Sequence, residues 1–457
     1  MIEIACRALP GVAIILLALV GALSVTVPAA RAELPPAAKC NAVGNVSLED
    51  RIEGCTTLID MAPGQQIATT ARFRRAMYYR KKGELGPAIA DYNQIIERDP
   101  NNVIARLYRG SAHAERHEYD AALVDYDKVV ELDPKNAYAY LGRAHVHLTK
   151  RGFDQAIVDY GQVLLLHPDN VAALAGRGAA YSAKDQPDRA MADCTRAIEI
   201  SPENGAGQLC RGQAYLAKNQ NELALADFNR AIQLKQTSGF AYELRAYAYV
   251  ELGDYDRAIA DYDELVRLNP NNKNALIRRA YAHKAKGDLD NAIADGDRLV
   301  QLDPQDSGAY RARAMIYWQR GSLAKSLTDL DQAVRLDPKS AYSAVWREIV
   351  ARRNDQPSQL ADAATHLDRT KWPAPIISLF LGALSPEQVI SAADDSDLKK
   401  RKGQVCEANF YTAEIALQRG AKQEAQRLFE LAVADCPKTF VEWQAANFEL
   451  SVLQSNR

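Results

Sequence analysis

Apolar residues recur along most of the chain with the three- and four-residue spacing of amphipathic helices, inside a longer period of 34 residues. In each period, positions 8 and 20 are small and position 11 is Tyr or His. Proline at position 32 ends the second helix, because it cannot donate to the hydrogen-bond ladder. This proline keeps one grid with a single gap at Gln236: Pro100, Pro134, Pro168, Pro202, Pro270, Pro304 and Pro338. The pattern predicts helical hairpins that bury their apolar faces against one another.

The period defines eight regular units over residues 69–340. They begin at Thr69, Val103, Ala137, Val171, Gly205, Gly239, Lys273 and Ser307. This pattern resembles the tetratricopeptide repeat family. The resemblance implies an all-α fold, an α-solenoid superhelix with eight regular repeats, one degenerate repeat and one C-terminal repeat. At the Gln236 gap we expect the superhelix to bend or loosen.

Both ends of the array depart from the pattern. Residues 33–68 are predicted to form an N-terminal capping segment, in which Ser47 caps a helix. Residues 341–405 are predicted to be a degenerate repeat and helical connector: Glu348 replaces the small residue at position 8, and Asp394 to Gly403 is a charged connector. In residues 406–457 the period returns as a C-terminal repeat from Cys406, followed by a capping helix over Phe440 to Leu453.

A pair of charges accompanies the apolar pattern, since position 7 is Arg and position 23 is Asp in all eight units. The two positions are equally distant from a turn near position 15, so they should lie opposite each other. We expect an Arg–Asp ladder, as in the pairs Arg109–Asp125, Arg177–Asp193 and Arg245–Asp261. A stripe that binds anions or peptides is the alternative. The structural role is favoured because every Arg has an Asp in register.

The N-terminus has the features of an export signal. A weakly positive start is followed by an apolar run over residues 11–27 and by the small-residue motif Ala30-Arg31-Ala32. We expect a signal peptide over residues 1–32 and a secreted or periplasmic protein. An uncleaved anchor is the alternative, because the apolar run is near the lower limit of spanning length. Lipidation is not expected, since Cys40 follows Ala38-Lys39 rather than a cleavage motif.

Six cysteines follow the expected signal peptide, an even number that favours disulfides in an exported chain. They fall into three local pairs: Cys40 with Cys55, Cys194 with Cys210, and Cys406 with Cys436. In the middle pair, Cys194 lies at position 24, which is normally a core site. Free buried cysteines are the alternative.

Composition and motifs argue against catalysis and nucleic-acid binding. The chain is 47% hydrophobic and 25% charged, and its net charge of −2 lacks the basic excess that nucleic acid requires. It contains no Gly-rich phosphate loop, G-x-S-x-G or H-E-x-x-H motif. His113 and His117 have metal-ligand spacing, but His113 occupies the position-11 packing site. We therefore predict no enzyme, no cofactor and no metal.

From about Leu336 onward, the chain is similar to the NlpI-type tetratricopeptide lipoproteins of the bacterial outer membrane, although it has no lipobox cysteine. The segments that carry the similarity include Trp372-Pro373, Phe380-Leu381-Gly382, Cys406-Glu407-Ala408-Asn409-Phe410-Tyr411 and Phe440-Val441-Glu442-Trp443. The resemblance implies a periplasmic adaptor that docks envelope proteases and peptidoglycan hydrolases.

In the tetratricopeptide family, the first helix of each unit lines a concave groove through positions 2, 5, 9 and 12. Here large apolar side chains occupy many of these positions: Phe73, Tyr138, Leu141, Leu209, Phe240, Tyr247, Ile277, Tyr281 and Trp318. Such a groove suits an amphipathic helix or an extended peptide. The alternative is that some of these residues belong to the core between repeats.

The leading functional hypothesis is a non-catalytic protein-interaction scaffold of the cell envelope. The competing hypothesis is a glycan- or peptidoglycan-binding module that uses Tyr138, Tyr247, Tyr281 and Trp318 as stacking platforms. Either is compatible with peripheral association with the outer membrane or peptidoglycan. The sequence leaves the partner and the oligomeric state open.

Overall fold

The structure is a computed structural model and describes residues 34–41, 46–234, 239–437 and 440–455. The expected signal peptide and Gln236 lie outside the described residues. The described residues form α-helices and one short 3₁₀ helix, with no β-strand among them. The predicted all-α helical-repeat solenoid is therefore confirmed. The chain divides into two compact units, one ending at Asp133 and the other beginning at Pro134.

The first unit contains the N-terminal segment and two regular repeats. Its helices are α1 (Pro36–Cys40), α2 (Leu48–Met61), α3 (Gln66–Lys82), α4 (Leu85–Arg98), α5 (Val103–Glu115) and α6 (Tyr119–Leu132). As expected, Ser47 caps α2: its side chain accepts a hydrogen bond from the Asp50 amide at 3.1 Å. The Cys40–Cys55 disulfide joins α1 to α2, and both cysteines are buried.

The second unit contains the other six regular repeats and the C-terminal region. The repeats comprise α7 (Ala137–Thr149), α8 (Phe153–Leu166), α9 (Val171–Ala183), α10 (Pro187–Ile200), α11 (Gly205–Ala217), α12 (Asn221–Gln233), α13 (Phe240–Glu251), α14 (Tyr255–Leu268), α15 (Lys273–Lys286), α16 (Leu289–Leu302), α17 (Ser307–Gln319) and α18 (Leu323–Leu336). The C-terminal region comprises α19 (Ala341–Arg353), α20 (Leu360–Ala363), a 3₁₀ helix (Ala364–His366), α21 (Ala374–Phe380), α22 (Pro386–Ala392), α23 (Leu398–Gln418), α24 (Lys422–Asp435) and α25 (Val441–Ser455).

Local chemistry at two positions fixes the hairpin boundaries. The residue before most units is Asn, and its side chain caps the first helix, as Asn102 does by accepting from the Ala105 amide at 2.9 Å. Position 15 has left-handed backbone, with φ between 56° and 87°, at Gly83, His117, Arg151, Asp185, Asn219, Gly253, Gly287 and Gly321. Glycine adopts this conformation without a Cβ clash, which is why half of these positions are glycine.

The degenerate repeat keeps its first helix and loses most of its second. Glu348 takes the place of the small residue at position 8 and is fully buried. Its carboxylate accepts hydrogen bonds from Arg352 Nε at 2.6 Å and Ser358 Oγ at 2.7 Å. A buried carboxylate is stable only when it is paired and hydrogen-bonded, and both conditions are met here.

The C-terminal repeat was expected to start at Cys406, but its first helix, α23, begins at Leu398 and includes the second half of the charged connector. The Asp397 carboxylate accepts from the amides of Lys399 and Lys400 at 2.9 and 3.3 Å, so it caps the helix. The Lys and Arg residues that follow are good helix formers. This helix leads into the largest apolar core among the described residues, which includes Trp346 and Phe410.

Candidate functional site

The eight arginines at position 7 and the eight aspartates at position 23 lie against each other as two-pronged ion pairs. In each rung, Arg Nε and one terminal nitrogen donate to the two oxygens of one carboxylate. For Arg177 and Asp193 the distances are 2.7 and 2.8 Å, and the other pairs are Arg75–Asp91, Arg109–Asp125, Arg143–Asp159, Arg211–Asp227, Arg245–Asp261, Arg279–Asp295 and Arg313–Asp329. All eight aspartates are buried. The guanidinium forks therefore face carboxylates of the same hairpin rather than a ligand.

Several rungs also reach the preceding repeat, a link that the sequence reasoning missed. The remaining terminal nitrogen of Arg313 donates to Asp297 at 2.7 Å, and that of Arg279 donates to Asp263 at 2.7 Å. Both acceptors occupy position 25 of the repeat before. In the degenerate repeat, Arg347 keeps the link to the preceding repeat, to Asp331 at 2.8 Å, but among the described residues it has no Arg–Asp pair within its own hairpin. The ladder thus joins neighbouring hairpins as well as the two helices of one hairpin.

The six cysteines form the three expected pairs. Cys194 lies on α10 and Cys210 on α11, so this disulfide joins two consecutive repeats. Cys406 and Cys436 lie on α23 and after α24, at the open end of the last hairpin. All six side chains are buried.

Three of the predicted groove residues, Tyr247, Ile277 and Tyr281, line one cavity of about 410 Å³. They come from α13 and α15, and Arg278 and Glu251 lie on the same wall. Trp443 from α25 is also part of this lining, although it is distant in sequence. The cavity is mainly aromatic and aliphatic and carries one residue of each charge at its edge.

The remaining groove residues are dispersed. Tyr138 and Leu141 line a separate cavity of about 470 Å³, where Tyr138 is largely exposed, and Phe240 is also exposed. Phe73 packs edge-on against Tyr92 and Tyr108, and Leu209 packs into the cluster around Phe228. These last two are part of the packing between helices, as the alternative reading of the pattern allowed.

Trp318 does not belong to an accessible groove, and that prediction is wrong. Its side chain is only 3% exposed, because Trp346 and Phe448 pack edge-on against it with ring centres at 5.4 and 5.0 Å. Phe448 belongs to α25, which covers position 12 of this repeat. The sequence period could not show that a helix from the end of the chain returns to this face.

Helix α25 is held on this face by a buried ion triad as well as by aromatic packing. Arg353 donates to Glu449 Oε1 at 2.6 Å and to Glu414 Oε2 at 2.5 Å. Both carboxylates are buried, and burial raises the pKa of Glu414 to about 7 although Arg353 opposes the shift. The triad ties α19, α23 and α25 together.

A further cavity, of about 530 Å³, lies beside the cavity lined by Tyr247 and Tyr281 and shares Ile277 with it. Its lining includes Arg311, Tyr342, Glu407 and Glu442. Glu407 accepts hydrogen bonds from Tyr342 Oη at 2.9 Å and from Trp372 Nε1 at 2.8 Å. Burial, reinforced by neighbouring Glu442, raises the pKa of Glu407 to about 7.

Metal and membrane features are absent from the part of the chain that the structure describes. No group of three or more His, Cys, Asp or Glu side chains could hold a metal ion there. His117 lies in the left-handed turn after α5, and His113 Nδ1 is 2.6 Å from Glu118 Oε2, so the two histidines do not share one helix face. Within the same residues, no helix combines the length and the apolar character needed to cross a membrane.

The sequence profile of a tetratricopeptide repeat family matches residues 73–137, 141–205 and 244–307. Two further tetratricopeptide repeat profiles match residues 277–351 and 211–238, so that the matches together span most of the regular array. The chain belongs to the tetratricopeptide repeat proteins.

Three solved structures are similar to this tetratricopeptide repeat protein over part or most of its length. A tetratricopeptide repeat protein from Parabacteroides merdae is 18% identical, covering 54% of this chain and 98% of its own, with a TM-score of 0.45. One chain of the APC/C hetero-tetramer Cut9–Hcn1 is 14% identical, covering 91% of this chain and 84% of its own, with a TM-score of 0.45. YrrB, described as having an unusual peptide-binding site, is 19% identical over 40% of this chain and 95% of its own, with a TM-score of 0.35.

Glu407, Glu442 and Trp443 line these cavities, but the groove positions of the repeat pattern do not include them. All three lie in segments that carry the lipoprotein resemblance. A further signal was present in the sequence: Glu recurs seven residues apart on two helices, at Glu407 and Glu414 and again at Glu442 and Glu449. Residues seven apart lie on one helix face, so this spacing places two carboxylates on the buried side of each helix.

Proposed function

We propose that this tetratricopeptide repeat protein is a non-catalytic scaffold that binds other proteins of the cell envelope through the groove face of its second unit. The observation that carries the proposal is the cavity formed by Tyr247, Ile277, Tyr281 and Trp443. Apolar side chains that remain accessible beside a few polar groups are typical of peptide-recognition grooves. Ile277 is 47% exposed and Tyr247 is 37% exposed, so both are available to a partner.

An envelope location is part of the proposal. The three disulfides support it, because disulfides persist in oxidising compartments. The expected signal peptide over residues 1–32 supports it as well. By the lipoprotein resemblance, we propose an envelope protease or a peptidoglycan hydrolase as the bound protein.

The glycan-binding alternative is less well supported by the distribution of its stacking residues. Trp318 is buried, and Tyr138 lies in a different cavity from Tyr247 and Tyr281. A sugar chain needs several aromatic faces along one accessible path. Sedimentation with purified peptidoglycan tests this alternative directly, and we expect the protein to remain in the supernatant.

Crosslinking pull-down from the source cells tests the scaffold proposal. The full-length protein should recover a discrete partner, and Tyr247→Ala combined with Tyr281→Ala should recover much less of it. Val158→Ala is the matched control, since Val158 is exposed on the second helix of its repeat, outside the groove positions. Equal recovery by the double variant and the control would overturn the assignment of the groove.

A further inference from the structure

Helices α23 and α25 bring together two pairs of buried carboxylates. The two glutamates on each helix are seven residues apart in sequence. Glu414 and Glu449 form one pair, and Glu407 and Glu442 form the other. All four side chains are at least nine-tenths buried. Both members of the first pair accept hydrogen bonds from Arg353, at 2.5 and 2.6 Å.

The second pair lacks such a direct partner among the described residues, although Arg311 and Lys284 face Glu442 from a greater distance. Among the described residues, no Lys, Arg or His side chain lies within 4.0 Å of the Glu407 or Glu442 carboxylate. Glu442 accepts a hydrogen bond from Tyr411 Oη at 2.8 Å, and its other oxygen accepts none from a different described residue. Among the donors that the structure describes, Glu407 accepts hydrogen bonds only from the neutral groups of Tyr342 and Trp372. Buried carboxylates are normally paired, so this pair differs from its neighbour in a way that points to an external cation.

The second pair also differs in what lies beside it. Glu407 and Glu442 both line the cavity of about 530 Å³, whose other walls are largely apolar. The apolar part of this lining includes Leu299, Ala309, Met315, Trp346, Phe440 and Val441, and Asp306 and Arg311 also line the cavity. Ile277, half exposed at the edge, is shared with the neighbouring aromatic cavity. A side chain could therefore pass from the groove face to the carboxylates along an apolar wall.

We propose that Glu407 and Glu442 form a receptor for a cationic side chain, arginine above all, that a protein partner inserts next to an apolar residue. The partner's arginine would occupy the place at the second pair that Arg353 occupies at the first. A guanidinium suits this place because its several N–H groups can bond two carboxylates at once. The proposal rests on the scaffold function proposed above and names the chemistry of the segment that the scaffold binds.

The charged groups around the pair set how binding depends on pH. Glu407 faces Glu442, Tyr342 and Trp372, whereas Glu442 faces Glu407, Tyr411, Arg311 and Lys284. Burial raises the pKa of Glu442 and raises that of Glu407 to about 7, while burial lowers the pKa of Lys284 to about 8. A bound cation favours ionised carboxylates, so binding should release protons and strengthen as the pH rises from about 5 to about 7.5.

The test compares two tripeptides that differ only in charge, N-acetyl-Phe-Arg-Leu-amide and its citrulline counterpart, with the full-length protein at millimolar peptide concentration. Citrulline keeps the shape of arginine and removes its charge. Isothermal titration should show the arginine peptide binding at least about tenfold more tightly, because hydrogen bonds between charged groups are the strong ones. Equal affinities, or no binding of either peptide, would overturn the cation receptor.

Variants then assign the binding to the carboxylates. Glu407→Gln and Glu442→Gln keep a hydrogen-bond acceptor for Trp372 or Tyr411 and remove the charge, so each should reduce the preference for arginine by about tenfold. Glu424→Gln is the control, because Glu424 is exposed on α24. A preference for arginine that survives both substitutions in correctly folded protein would contradict the proposal. The pull-down with the Tyr247 and Tyr281 variants judges the scaffold function separately, since it alters neither carboxylate.

Discussion

A single aspartate of the ladder holds the two helices of its hairpin together. Asp193 receives two hydrogen bonds from Arg177, and both groups are largely shielded from water. Removing one partner of a fully buried pair costs about 3–5 kcal/mol, because the other charge is left without compensation. The Arg177 side chain is 26% exposed, so water reduces this penalty. We expect Asp193→Ala to lower the free energy of unfolding by about 2 kcal/mol.

Urea unfolding followed by circular dichroism measures this loss. Asp188→Ala on the same helix is the matched control: the Asp188 side chain is 88% exposed and pairs with Lys218 at 2.9 Å. Its removal should change stability by no more than about 0.5 kcal/mol. If the two variants proved equally stable, the ladder would not be a stabilising device.

The buried acids of the C-terminal region predict a pH-dependent stability. Burial raises the pKa of Glu407 from 4.5 to about 7, so the folded state holds a proton that the unfolded state has already lost. The stabilisation that this proton provides is complete below about pH 4.5 and disappears as the pH rises through about 7. For one proton the slope reaches about 1.4 kcal/mol per pH unit. We therefore expect this region to be more stable near pH 5 than near pH 8.

Tryptophan fluorescence isolates this effect, because all four tryptophans, Trp318, Trp346, Trp372 and Trp443, lie in or against the C-terminal region. Glu407→Gln should reduce the pH slope of urea unfolding, while Glu414 and Glu442 keep part of it. Glu424→Gln should retain the slope of the wild type. A Glu407→Gln variant with an unchanged slope would show that Glu407 does not titrate in this range.

The ladder illustrates what a sequence reveals at the residue scale. The register of Arg177 with Asp193 followed from two positions equally distant from a local turn. The link from Arg313 to Asp297 did not, because position 25 also holds Asn, Gly and Thr in other repeats. The Glu407–Glu442 pair could not be predicted from the sequence for another reason. Its members approach each other only after the C-terminal helices have packed.

Within the repeats, the closeness of the two helices depends on position 8. A Cβ on Gly212 would lie 2.4 Å from Phe228 Cε1 and 2.8 Å from Cδ1. The fully buried ring has no room to move away, so we expect Gly212→Ala to destabilise the protein by about 1–3 kcal/mol. Thermal unfolding of Gly212→Ala, compared with the control variant Gly161→Ala, measures this loss of stability.

Gly161→Ala is the control because Gly161 also lies inside a helix, α8, where nothing lies within 4 Å of an added Cβ. Alanine has a higher helix propensity than glycine, so this variant should gain about 0.5–1 kcal/mol. Destabilisation by both substitutions would mean that backbone effects, rather than contact with Phe228, determine the loss at Gly212.

Regular elements were predictable because each unit repeats the same local rules. Capping by Asn, the left-handed turn and the terminating Pro act within a few residues, so a 34-residue period sets the helix boundaries. The exceptions lie where the period ends. Helix α23 begins at Leu398, earlier than its charged sequence indicated, because Asp397 provides a cap. Helix α25 was expected as a terminal cap, yet it also covers Trp318 through Phe448.

At the scale of the whole molecule, the regular repeats and the C-terminal region contribute different residues to the proposed binding site. The regular repeats supply the accessible apolar residues Tyr247, Ile277 and Tyr281. The C-terminal helices supply Trp443, Glu407 and Glu442, which complete two cavities on the same face of the second unit. The repeat period predicted the first group and could not predict the second, because contacts between segments so distant in sequence leave no local signal.

Site-specific photo-crosslinking tests this account most directly. A photoreactive benzoylphenylalanine replaces Tyr247 in the groove or, as a control, Val158 on an exposed second helix, and both proteins are irradiated in the source cells. The account predicts a discrete protein adduct from position 247, weakened by Tyr281→Ala, and none from position 158. Adducts of equal yield from both positions, or an adduct from position 158 alone, would contradict binding through the groove.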